Sequence, residues 1–274
     1  MADVGAATAG ILTLEGFNAR HGFTTRRGGV SEGAYASLNL GLSSGDDPAK
    51  VGANRDKLVD ELGVTRAQVC GYHQVHGDKV MRAAPGWFDE QADAAVSDDP
   101  ELLLVVSAAD CFPVLFHDPM SGAVGAAHCG WRGTTKHIAR TVVAELQARF
   151  GSAPGDLEVA IGQGIMGTCY QVATEVGEKF MAAGFPPAVL TTAGRRELGA
   201  PITRANEPPV AATAERPLLD ILAAIRFDLG QAGVRDQNVR ALERCTHCEA
   251  DVFYSHRRDA GLTGRMWGFV QADP

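Results

Sequence analysis

Long hydrophobic runs are absent from this chain of 274 residues. The longest, LLLVV at 102–106, is far shorter than the roughly 20 apolar residues that a membrane-spanning helix needs, so we expect no membrane span. The opening stretch, MADVGAATAGILTLEGF at 1–17, has no basic region ahead of an apolar core and does not read as a secretory signal.

Cysteine is sparse as well, with six residues in the whole chain. This density is far below that of a disulfide-stabilised secreted domain, so it predicts free thiols in a reducing cytoplasm. Free thiols in that compartment are buried, bound to metal or catalytic. The six cysteines are Cys70, Cys111, Cys129, Cys169, Cys245 and Cys248.

Positive charge is in deficit. The chain has 25 Lys and Arg against 33 Asp and Glu, a formal net charge of -8, which argues against a nucleic-acid partner or a membrane surface. No P-loop follows any strand-like run, so that route to a phosphate cradled at a helix start is not predicted. Fixed-period repeats and low-complexity tracts are missing too.

What remains is an ordinary globular composition, 45% hydrophobic and 21% charged. Length alone fits either one large domain or two small ones. Residues 186–217 are rich in Pro, Ala and Thr and poorly periodic, and strongly patterned segments flank them. We therefore expect this stretch to be a surface excursion rather than a linker between domains.

Three segments have the apolar period of an amphipathic helix. Residues 46–63 offer an Asp cap, an early proline and a terminal glycine. Residues 134–151 begin at a predicted cap, Thr134–Thr135, and end at a glycine, and residues 216–233 repeat the design.

Short strand-like runs fill much of the remaining chain, and several are apolar throughout, as in sheets covered on both faces. They outnumber the helices and often follow one another without a crossover helix. This order favours an α+β fold with mixed sheets over a doubly wound parallel fold. The runs are 102–108, 113–118, 122–128, 157–162, 239–243, 252–257 and 266–271.

A carboxylate and a thiol, Asp110 and Cys111, stand between two apolar runs. A strand core seldom holds such a pair, so we expect a strand end whose side chains enter a cleft. The simpler interpretation is that Cys111 is a small cysteine packed in the core. The turn signal DPMSG at 118–122 predicts a hairpin that returns His128 to the side of Cys111.

His76 is the third candidate ligand, on a short glycine-bounded segment that also holds His73. One Cys and two His from separate segments suit a tetrahedral zinc site with one open position. A nucleophilic pair of Cys111 with His128 as base fits nearly as well, since the ligands form no local CxxC or HExxH pattern. From the residues alone, both interpretations stay open.

Two further groups carry weaker signals. CTHC at 245–248 has the spacing of half a zinc ribbon or of a redox pair, but no second CxxC accompanies it, so a structural role without metal is favoured. Arginines near glycine-rich or polar segments are candidates for binding an oxyanion, although most arginines are solvated or salt-bridged. FYSHRRD at 253–259 is the densest such segment and is expected at a strand end. The candidate arginines are Arg26, Arg55, Arg132, Arg257 and Arg258.

Taken together, these motifs resemble those of the laccase-domain family. Its members were once described as multicopper polyphenol oxidases and are now described as zinc-dependent purine nucleoside phosphorylases with adenosine deaminase activity. Bacterial members are also called peptidoglycan editing factors. The resemblance runs from about residue 21 to 270, with the motifs in the expected order. These motifs are TTRRGGVSEGAYASLNLG, NRDKL, QVHG, ADCFPVLF, AAHCGWRGT, IGQGI, TCYQV, FYSHRRD and TGR.

The resemblance implies one α+β domain over residues 1–274, with mixed β-sheets sandwiched between helix layers in a four-layer αββα arrangement. It implies a zinc ion, with copper as the alternative, held by His76, Cys111 and His128. The implied partners are small molecules: phosphate and a purine nucleoside such as adenosine, inosine, guanosine or methylthioadenosine.

Roles within the motifs are hypotheses. Asp110, beside a ligand, is predicted to orient it or to act as a general base, and Cys111 is grouped with it as catalytic. Arginine suits phosphate because its hydrogen bonds are charge-assisted and often bidentate. The predicted substrate- and phosphate-binding residues are Arg26, Asn39, Arg55, Gln74, Arg132, His256 and Arg257.

Three residues depart from the family pattern. Cys129, Gln163 and Gln171 stand where alanine, proline and glutamate are common. If the glutamate assists proton transfer, the amide of Gln171 would blunt the activity. Cys129 follows His128 directly on a strand, so the two side chains should face opposite ways and Cys129 should be a small core residue.

Three rival activities stay open. The first is hydrolysis of amides by Cys111 as nucleophile with His128 as base. The second is copper-dependent oxidation of phenols, which is disfavoured because the chain has only eight histidines and few of them cluster. The third, hydrolytic editing of peptidoglycan precursors, can coexist with nucleoside chemistry. The sequence does not decide between a monomer and a dimer.

Overall fold

The computed structural model describes residues 10–191 and 216–273. The helices are α1 (Pro48–Glu61), α2 (Trp131–Thr135), α3 (Ile138–Phe150), α4 (Thr174–Ala182) and α5 (Ile221–Gln231). The strands are β1 (Ile11–Leu12), β2 (Arg20–Thr24), β3 (Val69–His73), β4 (Val80–Arg82), β5 (Trp87–Gln91), β6 (Ala94–Ser97), β7 (Leu103–Ala108), β8 (Phe112–His117), β9 (Val124–Cys129), β10 (Glu158–Ile161), β11 (Leu190–Thr191), β12 (Leu218–Leu219), β13 (Val239–Ala241) and β14 (Met266–Gln271).

Over the described residues, most strands belong to two mixed six-stranded sheets. The first sheet has the order β1-β2-β14-β7-β3-β5, in which β7 pairs antiparallel with β14 and parallel with β3. The second has the order β13-β10-β8-β9-β6-β4, with the antiparallel β8–β9 hairpin at its centre and a parallel pair at each edge.

Alternating side chains along β7 separate the layers of the fold. Leu104 packs between the two sheets with Leu115, whereas its neighbours Leu103 and Val105 pack on the opposite face with Leu58 of α1. Helices α3 and α5 cover the outer face of the second sheet. The layers therefore run helix, sheet, sheet, helix, and the predicted four-layer α+β fold is confirmed.

Two of the three predicted helices begin at an aspartate cap. The helix predicted over 46–63 forms as α1, and the Asp47 side chain accepts a hydrogen bond from the backbone inside the helix at 2.9 Å. The helix predicted over 216–233 is shorter than expected. It begins only after Asp220, whose carboxylate accepts the Ala223 N–H at 2.9 Å, because the residues before it form β12.

The predicted cap Thr134–Thr135 is wrong. Both threonines lie inside the short α2, and α3 starts after His137, whose φ of 62° separates the two helices. Helix α4 has no counterpart among the predictions. It is only nine residues long and begins after Ala173 without a side-chain cap, so it lacks the start signal that marked the predicted helices.

The strand predicted over 252–257 is also wrong, while the other strand predictions are confirmed to within a residue or two. This segment is a series of turns, in which Phe253 and Tyr254 pack in a small core of their own. Arg258 donates to the carbonyl oxygens of Phe253 at 2.9 Å and Thr246 at 2.7 Å. A side chain thus satisfies backbone groups that a neighbouring strand would satisfy in a sheet.

The surface excursion predicted over 186–217 falls largely outside the described residues. At its described ends, β11 pairs with β12 in a short antiparallel ribbon. No helix within 10–191 or 216–273 combines the length and apolar character that crossing a bilayer requires.

Candidate metal centre

Three predicted ligands meet where the β8–β9 hairpin opens. Cys111 directly precedes β8, His128 lies on β9 opposite Pro113, and His76 lies on the loop after β3. Their candidate ligand atoms all lie within 4.8 Å of one another. The predicted hairpin turn forms, with a backbone hydrogen bond of 2.8 Å across residues 118–122. The hairpin brings His128 beside Cys111, as expected.

A buried carboxylate, that of Asp93, organises two of the three ligands. Its Oδ1 lies 2.9 Å from Nδ1 of His128, which leaves Nε2 of that ring for the centre. The same carboxylate accepts the backbone N–H groups of Val75 at 3.1 Å, His76 at 2.9 Å and Gly77 at 2.6 Å. These bonds hold the backbone of His76 at a φ of 58°, a conformation that few residues with a side chain adopt.

Charges inside this trio stabilise one another. Burial disfavours the Cys111 thiolate, but the charge of His128 and the hydrogen bonds from both histidines outweigh burial and lower the pKa of Cys111 to about 6. Burial likewise disfavours a charged His128, yet the Cys111 thiolate and the carboxylate of Asp93 raise the pKa of His128 to about 9. Cys111 is therefore available near neutral pH as the thiolate, the form that binds metals.

Two glycines of the GWRG turn permit close packing around the trio. A Cβ at Gly130 would lie 2.8 Å from Sγ of Cys111 and 3.2 Å from Cδ2 of His76. A Cβ at Gly133 would lie 2.8 Å from the carbonyl oxygen of Gly77. Side-chain carbons do not approach other atoms that closely, so these positions must stay bare for the turn to reach the ligands.

The donor set fits a transition metal. Imidazole nitrogen and thiolate sulfur are ligands of both zinc and copper, and three protein ligands leave a coordination position open. The carboxylate of Asp93 on the ring of His128 is the outer partner that a metal-binding histidine usually has. The residues therefore fit a metal ion, and the donor types do not choose between zinc and copper.

Asp110 joins this centre to the turns that follow β13. Its φ is 88°, and both carboxylate oxygens accept hydrogen bonds of 2.6 Å, from the Thr246 hydroxyl and from the Arg257 backbone N–H. Its own carbonyl oxygen accepts the N–H of Ile165 at 2.8 Å. Two segments distant in sequence, after β10 and after β13, are thus fixed beside Cys111 by one residue.

Two of the predicted anion-binding arginines belong to the same neighbourhood. Burial, together with the charges of Cys111 and Asp110, raises the pKa of the Tyr170 phenol, while Arg257 and Arg132 oppose the rise. The guanidinium of Arg257 lies 4.7 Å from the centre of the Tyr170 ring. The trio therefore faces both an aromatic ring and positive charge.

The sequence patterns did not single out three residues of this region. Asp93 is a lone acid in the small-residue run ADAAV at 92–96, which is the signal that could have revealed it. Tyr170 and Arg265 stand within the TCYQV and TGR motifs. Burial lowers the pKa of Arg265, and the negative charge of Cys111 acts in the opposite direction, which places the two side chains within electrostatic reach.

Arg26, Asn39 and Arg55 are held by hydrogen bonds around the loop 26–46. Arg55 is buried, which lowers its pKa to about 10, and its Nε donates to the Leu40 carbonyl oxygen at 2.9 Å. Arg26 Nε donates to another carbonyl of the loop at 2.7 Å. The Asn39 amide donates to two side chains of the loop, at 2.8 and 3.0 Å. Each of the three helps to shape this loop.

The remaining predicted residues lie on two other segments. Gln74 exchanges two hydrogen bonds with the backbone of Ser107, at 2.8 and 2.7 Å, and so ties the loop of His76 to the end of β7. His256 is exposed on the turns after β13, where its carbonyl oxygen accepts the Gly261 N–H at 2.9 Å. His73, the neighbour of the third ligand, is exposed and does not belong to the trio.

The three departures from the family pattern have clear positions. Cys129 is fully buried in the core beneath α3, on the strand face opposite His128, as predicted. Gln163 is buried, and its amide donates to the Thr24 carbonyl oxygen at 3.1 Å. The backbone carbonyl of Gln171 accepts a hydrogen bond of 2.5 Å from the Arg257 guanidinium.

The chain is similar to known proteins along nearly its whole length. Residues 20–273 match the family model described as multi-copper polyphenol oxidoreductase laccase. A relative from Deinococcus radiodurans named purine nucleoside phosphorylase is 42% identical over 251 residues, which cover 91% of this chain and 88% of the relative. Purine nucleoside phosphorylase YlmD from Geobacillus stearothermophilus is 36% identical, with 91% and 88% covered. The crystal structure of Bacillus licheniformis hypothetical protein YfiH gives a TM-score of 0.87 at 30% identity, covering 98% of this chain and 99% of that one. The chain belongs to the multi-copper polyphenol oxidoreductase laccase family.

Proposed function

We propose that this protein is a zinc-dependent purine nucleoside phosphorylase. The observation that carries the proposal is a trio of metal-binding side chains, set beside arginines, in a chain 42% identical to a relative of that name. In the reaction a phosphate oxygen bonds to C1′ of the ribose while the bond from C1′ to the purine nitrogen breaks. The products are the free base and ribose 1-phosphate.

His76, Cys111 and His128 would hold the metal. When bound, it supplies Lewis-acid polarisation of an oxygen or nitrogen atom at the open position. The chain itself fixes the ligands beforehand, since Asp93 bonds both to the ring of His128 and to the loop of His76. A ligand set that needs no rearrangement loses less conformational entropy when it binds its metal and its substrate.

Phosphate requires positive charge at a fixed position beside the sugar. Arg257 meets this need. Its backbone N–H donates to the Asp110 carboxylate at 2.6 Å, and the Arg257 guanidinium lies over the Tyr170 ring. We assign Arg257 and Arg132 to phosphate and the Tyr170 ring to the flat face of the purine. Asp110 is assigned as a positioning residue rather than a base, since both its carboxylate oxygens already accept hydrogen bonds.

The other predicted substrate contacts stay predictions: Arg26, Asn39, Arg55, Gln74 and His256. The proposal also includes deamination of adenosine at the same site. It places the enzyme in the cytoplasm, where its free thiols suit a reducing environment. Copper in place of zinc and amide hydrolysis by Cys111 are the alternatives that the experiment separates. Peptidoglycan editing, which can coexist with nucleoside chemistry, stays a second candidate.

The test incubates metal-analysed protein with adenosine, inosine, guanosine and methylthioadenosine, with and without phosphate. We expect free base and the sugar 1-phosphate only when phosphate is present, the sugar being ribose or, from methylthioadenosine, 5-methylthioribose. We expect ammonia from adenosine in either case. Chelation should abolish turnover, and zinc should restore it better than copper. Absence of turnover by zinc-loaded protein would contradict the proposal. Activity that resists chelators but is lost to iodoacetamide would favour the Cys111 nucleophile instead.

A further inference from the structure

A second cluster of metal-binding side chains lies outside the centre described above. It consists of Cys169, Cys245 and Cys248, whose sulfur atoms all lie within 4.8 Å of one another. The sulfurs of Cys169 and Cys248 are 3.3 Å apart. Cys169 belongs to the segment after β10 and the other two to CTHC after β13, so the cluster joins segments that are distant in sequence.

Two tight turns present these cysteines to each other. The Cys169 N–H donates to the Met166 carbonyl oxygen at 2.8 Å, and the Cys248 N–H donates to the Cys245 carbonyl oxygen at 3.2 Å. A parallel bridge between Gly164 and Cys245 holds one turn against the other. Because main-chain bonds fix both turns, the convergence of the three sulfurs does not depend on the rotamers alone.

The sulfur of Cys245 is surrounded by hydrogen-bond donors. It accepts the backbone N–H groups of Met166 and of Cys248, one from each turn. The same amides would stabilise the sulfur as a metal-bound thiolate, since hydrogen bonds to an ionised group are the strong ones. Without a metal, the neighbouring Cys169 and burial raise the pKa of Cys245, and the two amide donors act in the opposite direction. Such donors around a thiolate are what a metal-bound cysteine requires of its surroundings.

We propose that Cys169, Cys245 and Cys248 bind a thiophilic metal ion, Zn²⁺ with a fourth ligand from solvent. Thiolate sulfur selects zinc and Cu⁺ over harder cations. Cys248 is exposed and the other two are half-buried, so one side of the cluster is open to water. Tetrahedral zinc with three cysteines and a water uses all these features. A disulfide between Cys169 and Cys248 would leave Cys245 and its two amide donors without a role.

The site would stabilise the turns that carry Arg257. Thr246, between two of the ligands, donates its hydroxyl to Asp110 at 2.6 Å. Its carbonyl oxygen accepts a hydrogen bond of 2.7 Å from Arg258. A metal at the cysteines would therefore clip the segment after β13 to the segment after β10, close to the first centre but without sharing a ligand with it.

The test separates the two centres by the full-length variant Cys111→Ser. Loaded with Co²⁺ under reducing conditions, it lacks the thiolate of the first centre, so any thiolate-to-cobalt charge-transfer band must come from the second. We expect a strong band, and a content of about one zinc per chain after zinc loading. Absence of the band would overturn the proposal, because Cys111→Ser leaves Cys169, Cys245 and Cys248 unchanged. Retention of only Cu⁺ would overturn the assignment to zinc.

Adding Cys169→Ser and Cys248→Ser to that background should abolish the band and remove the remaining zinc. The matched control adds Cys70→Ala, which deletes a buried thiol of β3 and should leave band and zinc unchanged. Equal loss in both variants would overturn the proposal. So would mass spectrometry that finds a Cys169–Cys248 disulfide in zinc-loaded protein.

Discussion

Asp93 accepts a hydrogen bond from the ring of His128 and, through the same carboxylate, the backbone N–H of His76. One buried side chain therefore positions two ligands that reach the centre from different segments. Its pKa is lowered, because the bonds to His128 and to the backbone outweigh the effect of burial. Asp93 thus carries a negative charge beside the candidate metal centre.

We expect Asp93→Asn to weaken zinc binding roughly 10- to 100-fold, the usual effect of losing an outer carboxylate. The amide keeps the size of the side chain but loses its charge, and it must turn an N–H group toward donors. Competition with a chromophoric chelator measures the dissociation constant. The control is Asp273→Asn, which removes the carboxylate that lies 3.0 Å from Nε2 of His117 at the far end of β8. Equal affinities in the two variants would contradict the role of Asp93.

Gly130→Ala should reduce zinc content and activity together, because the new methyl group would overlap Sγ of Cys111 at 2.8 Å. The control is Gly230→Ala in α5, where nothing lies within 4 Å of the added carbon. That variant should keep its zinc and gain up to about 1 kcal/mol of unfolding free energy, since alanine favours the helix. Metal analysis measures the zinc content, and denaturant unfolding measures the unfolding free energy. A Gly130→Ala protein with full zinc content would show that the turn can yield.

The sequence predicts the parts of this fold that depend on local periodicity. The runs that became β7, β8 and β14 are apolar throughout, and sheets covered on both faces produce that pattern. The segment 252–257 begins with a similar apolar run, VFY, but there Arg258 binds the Phe253 carbonyl oxygen, and Phe253 packs in a small cluster with Tyr254 and Met266. No local pattern distinguishes the two outcomes, because the decision lies in a contact between loops.

The sequence also predicts only part of the candidate centre. The ligands His76, Cys111 and His128 follow from residue type, turn signals and the resemblance between motifs. Asp93 offered only the signal of a lone acid in a small-residue run, since its role comes from a loop and a strand that meet only in the folded chain. The role of Arg55 stays a prediction. Its position within a motif suggests a ligand contact, and its buried guanidinium bonds to the Leu40 carbonyl oxygen.

Thr246→Val tests the connection between Asp110 and the turns that hold Arg257. The variant removes a buried hydroxyl that donates to Asp110 at 2.6 Å, which should cost about 1–3 kcal/mol of unfolding free energy. Because Asp110 also holds the Arg257 backbone, we expect KM for phosphate to rise more than kcat falls. Thr141→Val, whose hydroxyl bonds only within its helix region, should stay within about 0.5 kcal/mol of wild type. An unchanged KM in the Thr246 variant would show that this hydroxyl does not position Arg257 for phosphate.

The Glu158 carboxylate should make the free energy of unfolding depend on pH. Burial raises its pKa, but the Asn18 N–H at 2.9 Å and His117 at 3.0 Å outweigh burial, so the folded pKa lies below the unfolded one. The stabilising contribution is therefore complete above the unfolded value of about 4.3 and is lost as pH falls through the lower folded value. Glu158→Gln should lower stability at neutral pH and flatten its decline below about pH 5, as urea unfolding at several pH values would show. Glu145→Gln, which removes an exposed ion pair with Arg149, should keep the wild-type decline. Equal declines in wild type and Glu158→Gln would show that this carboxylate does not control the acid limit.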